Sequence, residues 1–199
     1  MNLVLDLPPQ APRRPRGLVA ALGRLILWLG GWKMRGAWPN VPRLVVLAAP
    51  HSSAWDGLWG LSAKMAMGVE VKFMAKAELF HGLSGWLLGP ILRALGAIPI
   101  DRSSPAGLVN EVAARFAGAD QFWLVLAPEG TRRRVERWKT GFWRIARAAN
   151  VPVVCAYFHY PERVIGIGEC FDLTDDLEAD MAKIRTYYRP WIGKNRGTM

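Results

Sequence analysis

Beyond residue 40 the chain alternates between short apolar runs and longer stretches whose apolar residues recur three and four apart. The runs 43–48, 69–75, 97–101, 121–127, 151–160 and 163–171 predict strands. The stretches 56–67, 78–95, 104–116, 138–149 and 174–188 predict helices. Pro90 follows Gly89 inside the second of these and predicts a break, because proline removes a donor and crowds the preceding turn. Ser104-Pro105 reads as an N-cap with proline at the first helical position, and Thr174 as the cap of a helix that begins acidic. This alternation predicts an α/β fold, a single domain with a mostly parallel central sheet flanked by helices. On such a sheet, sites form where strands pass into helices.

The first 40 residues read differently. Residues 1–16 form a Pro-rich, mostly irregular arm, and 17–32 an apolar helical run. Leu18, Leu22, Leu25, Leu29 and Trp32 share one stripe of it, and Gly17, Arg24 and Gly31 another. A bilayer span needs about 20 residues, so the run is short by more than a turn. With Arg13, Arg14, Arg16, Lys33 and Arg35 flanking it, an amphipathic helix lying in a membrane interface is expected. Three segments follow: 1–40, the basic arm with its membrane-associating helix; 41–192, the α/β domain; and 193–199, a C-terminal tail.

Composition sharpens this picture. The chain carries a net charge of +10 yet is 51% hydrophobic with 10 Trp, which excludes a disordered chain and joins positive charge to greasy surface. The excess is local, with +6 in residues 1–50 and +6 in 131–150. Cys155 and Cys170 form no C-x-x-C, which argues against a disulfide framework or zinc ribbon and points to a reduced, cytosol-facing compartment. Asp6 and three prolines precede the basic cluster, the reverse of a secretory signal. No P-loop or third dinucleotide glycine is present, Trp86 stands where a nucleophile elbow needs glycine, and His51, His81 and His159 lack metal-ligand spacing.

Three strand ends carry candidate chemistry. His51 and Asp56, in His-Ser-Ser-Ala-Trp-Asp, follow the first strand. Five apart, they lie about 140° out of register on one helix. They meet only if His51 sits in the loop and Asp56 in the first helical turn, where Ser53-x-x-Asp56 is also a capping box. Asp would then accept from one imidazole nitrogen and leave the other as a base. Glu129-Gly130-Thr131-Arg132 ends a fully apolar strand with a close-approach glycine and a guanidinium suited to phosphate. Arg102 closes the run that begins at Gly96.

In this order, the segments resemble the glycerolipid acyltransferase family, which includes the 1-acylglycerol-3-phosphate acyltransferases. His51 to Asp56 matches its H-x4-D motif, Gly96 to Arg102 resembles its second, Glu129 to Arg132 matches its E-G-T-R, and Val151-Pro152-Val153-Val154 resembles its fourth. Pro99 departs from the bulky apolar residue many members carry. The resemblance implies acyl transfer from acyl-CoA or acyl carrier protein to the hydroxyl of a lysophospholipid, 1-acylglycerol-3-phosphate foremost. It implies His51 as general base oriented by Asp56, and Arg102, Glu129, Gly130, Thr131 and Arg132 as acceptor contacts. Lys76 and Lys139 occupy basic positions similar to ones in family members. No metal and no cofactor beyond the thioester donor are implied. The expected partners are that donor, the lysolipid and a membrane surface, at its cytoplasmic face in a peripheral or monotopic manner, with no nucleic acid. The competing readings are another lysolipid acceptor, thioester hydrolysis, and a non-catalytic basic domain that binds membrane or nucleic acid.

Overall fold

The structure, a computed structural model, describes residues 3–15, 17–100 and 105–195, apart from the side chains of residues 76, 83, 84, 88, 105 and 106. Seven strands make one sheet: β1 (Lys33–Gly36), β2 (Arg43–Ala49), β3 (Val71–Lys76), β4 (Ala97–Ile100), β5 (Phe122–Leu126), β6 (Val153–His159) and β7 (Val164–Phe171). Their spatial order is β1-β7-β6-β2-β5-β3-β4. The five strands from β6 to β4 run parallel, β7 pairs antiparallel with β6, and β1 runs parallel to β7. The carboxyl ends of β2, β3, β4, β5 and β6 therefore share one edge, and the central position of β2 puts the residues after it in the middle of that edge.

The central strands β2, β5 and β6 are almost wholly apolar because both faces are covered. Val45 and Leu47 of β2 point to one face, where they meet α4 (Pro105–Ala117), α5 (Gly141–Ala149) and α6 (Leu177–Tyr188) through Val112, Phe116, Phe142, Ile145, Met181 and Ile184. Leu44 and Val46 point to the other, where α1 (Gly17–Leu29) and α2 (Trp55–Met67) contribute Leu27, Ala63, Ala66 and Met67. Leu7 and Ala11 of the N-terminal arm are buried in this second core, and Arg14 ties the arm to Gly68 and Glu70. A 3-10 turn (Ala77–Phe80) and α3 (Gly82–Ala94) connect β3 to β4.

The α/β class and the mostly parallel sheet agree with the sequence expectation, and several boundaries differ for identifiable reasons. The first helix ends at Leu29, where Gly30 and a left-handed Gly31 (φ +69°) stop it; Trp32 lies beyond it and is buried. β1 was not expected, being four residues with a charge at each alternate position. The interruption expected at Gly89-Pro90 occurs instead at Gly82 (φ +66°), and α3 runs on through Pro90. Pro90 lies on an exposed side of that helix with Trp86 and Leu87, where water can reach the carbonyl left without a donor. α5 starts at Gly141 rather than 138 because the Lys139 amide donates to Pro128 O, holding 138–140 against the loop after β5. Asp176, not Thr174, caps α6 by accepting from Ala179 N; Thr174 turns to Asp180. Ser104 lies outside the described residues.

Candidate active site

The loop after β2 and the first turn of α2 bring His51 and Asp56 together, with Nδ1 of the imidazole 3.3 Å from Asp56 Oδ2. The His51 side chain is 31% exposed and that of Asp56 is 0%. Oδ2 also accepts from the Ser53 amide at 2.8 Å, so the carboxylate closes the capping turn and faces the imidazole at once. Oδ1 accepts from the Tyr160 hydroxyl at 2.5 Å. Burial works to raise the Asp56 pKa, but the hydrogen bonds from His51, Tyr160 and Ser53 outweigh it and hold the carboxyl below the ordinary aspartate value. With Nδ1–H directed at a carboxylate, Nε2 is the nitrogen left to take a proton.

The loop after β5 reaches the same place because β5 is the neighbour of β2. Glu129 is buried, and its Oε1 accepts from the His51 amide at 2.9 Å. Expected among the acceptor contacts, Glu129 thus also fixes the backbone of the histidine loop. Gly130 has φ +63°, and a Cβ there would stand 2.9 Å from both Cδ and Cε of Lys139. Glycine is therefore what lets the lysine lie across the loop. Thr131 Oγ1 accepts from the Arg133 amide at 3.3 Å, and Arg132 is exposed. Lys76 ends β3 on the shared edge, with its backbone opposite Ile100; its side chain and Arg102 lie outside the described residues.

A cleft of about 1210 Å³ opens from this edge, lined by His51, Asp56, Gly130, Thr131, Arg132 and Lys139. Gly57, Gly60, Leu61 and Met67 of α2, with Val46, Phe73 and Phe158 of the sheet, are part of its lining. On the opposite face, Leu108, Val109, Phe142 and Arg144 also line it. Lys64, on the inner side of α2, donates to Val71 O at 3.0 Å and to Leu95 O, pinning α2 to the start of β3 and the end of α3. Burial, reinforced by Arg14 and Lys72, pushes its ammonium down to about 8.

Sequence reasoning passed over Tyr160, Lys64 and the C-terminal segment. Asn195 Nδ2 donates to Ser52 O at 2.9 Å, and Lys194 Nζ lies 4.7 Å from the centre of the Trp55 ring. These contacts span up to 143 residues and have no local signal.

A histidine–aspartate pair thus stands at the carboxyl edge of a parallel sheet and lines a largely apolar cleft together with Arg132 and Lys139. A family model described as Acyltransferase matches residues 39–159. A 1-acyl-sn-glycerol-3-phosphate acyltransferase from Streptococcus pneumoniae is 30% identical over 133 residues, 65% of this chain and 47% of the relative. The chain thus matches about half the length of that curated relative. The crystal structure of the 1-acyl-sn-glycerophosphate (LPA) acyltransferase PlsC from Thermotoga maritima superposes with a TM-score of 0.60 at 18% identity, over 86% of this chain and 76% of that one, and shares the fold. The chain belongs to the glycerolipid acyltransferase family that its motifs resemble.

Proposed function

We propose that this protein is an O-acyltransferase that moves a fatty acyl group from acyl-CoA or acyl carrier protein to the free hydroxyl of 1-acylglycerol-3-phosphate, giving phosphatidic acid. The observation that carries the proposal is the His51–Asp56 pair, 3.3 Å apart, at the mouth of the apolar cleft. His51 Nε2 removes the acceptor hydroxyl proton as its oxygen attacks the thioester carbonyl. Asp56 stabilises the imidazolium that forms. Collapse of the tetrahedral adduct breaks the C–S bond, and the departing thiolate takes the proton back from His51. An ester and a free thiol result, and no acyl-enzyme is required.

The cleft supports the substrate class. The apolar lining from α2 and the sheet suits a hydrocarbon chain, while Arg132 and Lys139 offer charge for a phosphate. Arg102 joins them on the strength of the family motif alone. Delivery from a bilayer is supported by the surface: Leu18, Leu22, Leu25, Trp28 and Leu29 of α1, Trp55 and Leu58 of α2, and Trp86, Leu87 and Ile91 of α3 are all exposed. Among the described residues no helix is long and apolar enough to cross a membrane. We propose that these exposed residues dock the protein on the membrane surface, at the cytoplasmic face, as a peripheral or monotopic enzyme.

The test offers purified protein labelled acyl-CoA and acyl carrier protein in vesicles, with a panel of lysolipids. Transfer to lysophosphatidate is expected, and Arg132→Ala raises the KM for that acceptor more than for the donor. Transfer only to a lysolipid without phosphate, or an unchanged acceptor KM in the variant, contradicts the assignment. Release of free fatty acid regardless of lysolipid identifies a hydrolase.

A further inference from the structure

We infer that Tyr160 is a positioning residue for the reaction, its hydroxyl locking the Asp56 carboxylate in the orientation that serves His51. The inference rests on the reading of His51 as the base. Tyr160 lies one residue beyond the stretch matched by the family model and in none of the four motifs.

The Asp56 side chain is fully enclosed, so neither oxygen can rely on water. Oδ2 is engaged twice, by the Ser53 amide and by the imidazole. Oδ1 is held by the Tyr160 hydroxyl, at 2.5 Å the shortest of the three contacts. A buried carboxylate oxygen deprived of its donor either turns toward another or takes up a proton. Both responses weaken the acceptor facing Nδ1–H. Among the described residues, the titratable groups facing this carboxylate are His51 from the β2 loop and Tyr160 from the end of β6, with the buried Glu129 engaged on the His51 backbone. Burial and the neighbouring carboxylate push the Tyr160 phenol well above its ordinary pKa, so it remains a donor throughout the working range.

Tyr160 is itself fixed from several sides, as a positioning group must be. Its amide donates to Ile192 O at 2.9 Å, and its carbonyl accepts from the Arg163 amide at 3.2 Å. Its ring meets Trp32 edge-on at 4.9 Å, and Trp32 in turn contacts Trp59 of α2 at 5.3 Å. The C-terminal segment that receives the Tyr160 amide also reaches the histidine loop, through Asn195 to Ser52. The carboxylate of α2 is thus referenced to the end of β6, the strand beside β2.

Tyr160→Phe removes one oxygen and keeps the ring. We expect kcat for acyl transfer to fall about tenfold or more, as for loss of a hydrogen bond to a buried charge, with both KM values held within about twofold. A second reading needs no substrate. Asp56, its pKa depressed in the folded state, contributes stability above its unfolded pKa and loses it as pH falls through the folded one. Without the tyrosine donor the folded pKa rises, so the acid-unfolding midpoint of Tyr160→Phe moves to higher pH. In an Asp56→Asn background, where the amide oxygen still accepts from the hydroxyl but does not titrate, the same change moves the midpoint much less, because Tyr160 acts through the charge of that carboxylate. An unchanged kcat, or an acid midpoint that shifts equally with and without Asp56, overturns the inference. Should the wild type transfer to no lysolipid, the functional proposal falls alone, and the acid-midpoint comparison decides the role of Tyr160.

Discussion

Helices α1 and α5 are built inside out with respect to each other. α5 buries Phe142, Ile145 and Ala146 and turns Arg144 and Arg147 outward, the usual arrangement of a helix on a sheet. α1 buries Ala20, Gly23 and Leu27 and exposes Leu18, Val19, Leu22, Leu25, Trp28 and Leu29. The inner face of α1 is small because it lies directly on α2. A Cβ on Gly23 would stand 2.6 Å from both Ala66 N and Ser62 O. Apart from Leu27, the large residues of α1 are therefore not needed by the core. These exposed apolar residues, with basic residues around them, are what the proposed docking on an anionic bilayer requires.

Three variants would break that contrast, in decreasing order of their effect on stability. Phe142→Ala should cost about 3–5 kcal/mol in denaturant unfolding, by leaving a cavity between α5 and the sheet. Gly23→Val should cost about 1–3 kcal/mol, since the added carbons force α1 away from the α2 backbone. Replacing Leu22, Leu25 and Trp28 together with serine should change stability by less than about 0.5 kcal/mol each, as for other exposed sites, while weakening vesicle binding by at least about tenfold. Unfolding curves and vesicle sedimentation measure all three. A triple variant that unfolds readily but still binds vesicles would mean that the exposed face of α1 serves the fold. Raising salt sharpens the same point: apolar docking persists, whereas nucleic-acid binding would fall steeply.

The same division separates what the sequence makes legible from what it hides. The alternation of apolar runs marks six of the seven strands, because strands covered on both faces are largely apolar. It cannot order them. That β6 and β5 flank β2 is a tertiary fact, and it alone brings Tyr160 to Asp56 and Glu129 to His51. The His51–Asp56 contact was legible because both residues lie within one loop and turn. Trp32 was misplaced on the exposed stripe because helical spacing was extended past the glycines that end α1. Pro90 was misread because its local penalty is tolerated on an exposed helix side. Lys64 offered no pattern at all, since its partners are backbone carbonyls of β3 and the residue after α3.

The proposed chemistry depends most directly on the His51 imidazole. The decisive measurement is transfer from a labelled acyl thioester to 1-acylglycerol-3-phosphate in vesicles by wild type and His51→Ala, with unfolding curves and vesicle binding recorded on both. We expect wild-type transfer, and a loss of at least about a hundredfold in the variant, with fold and binding retained. A folded, vesicle-bound variant that transfers within a few fold of wild type would contradict the assignment of His51 as the base.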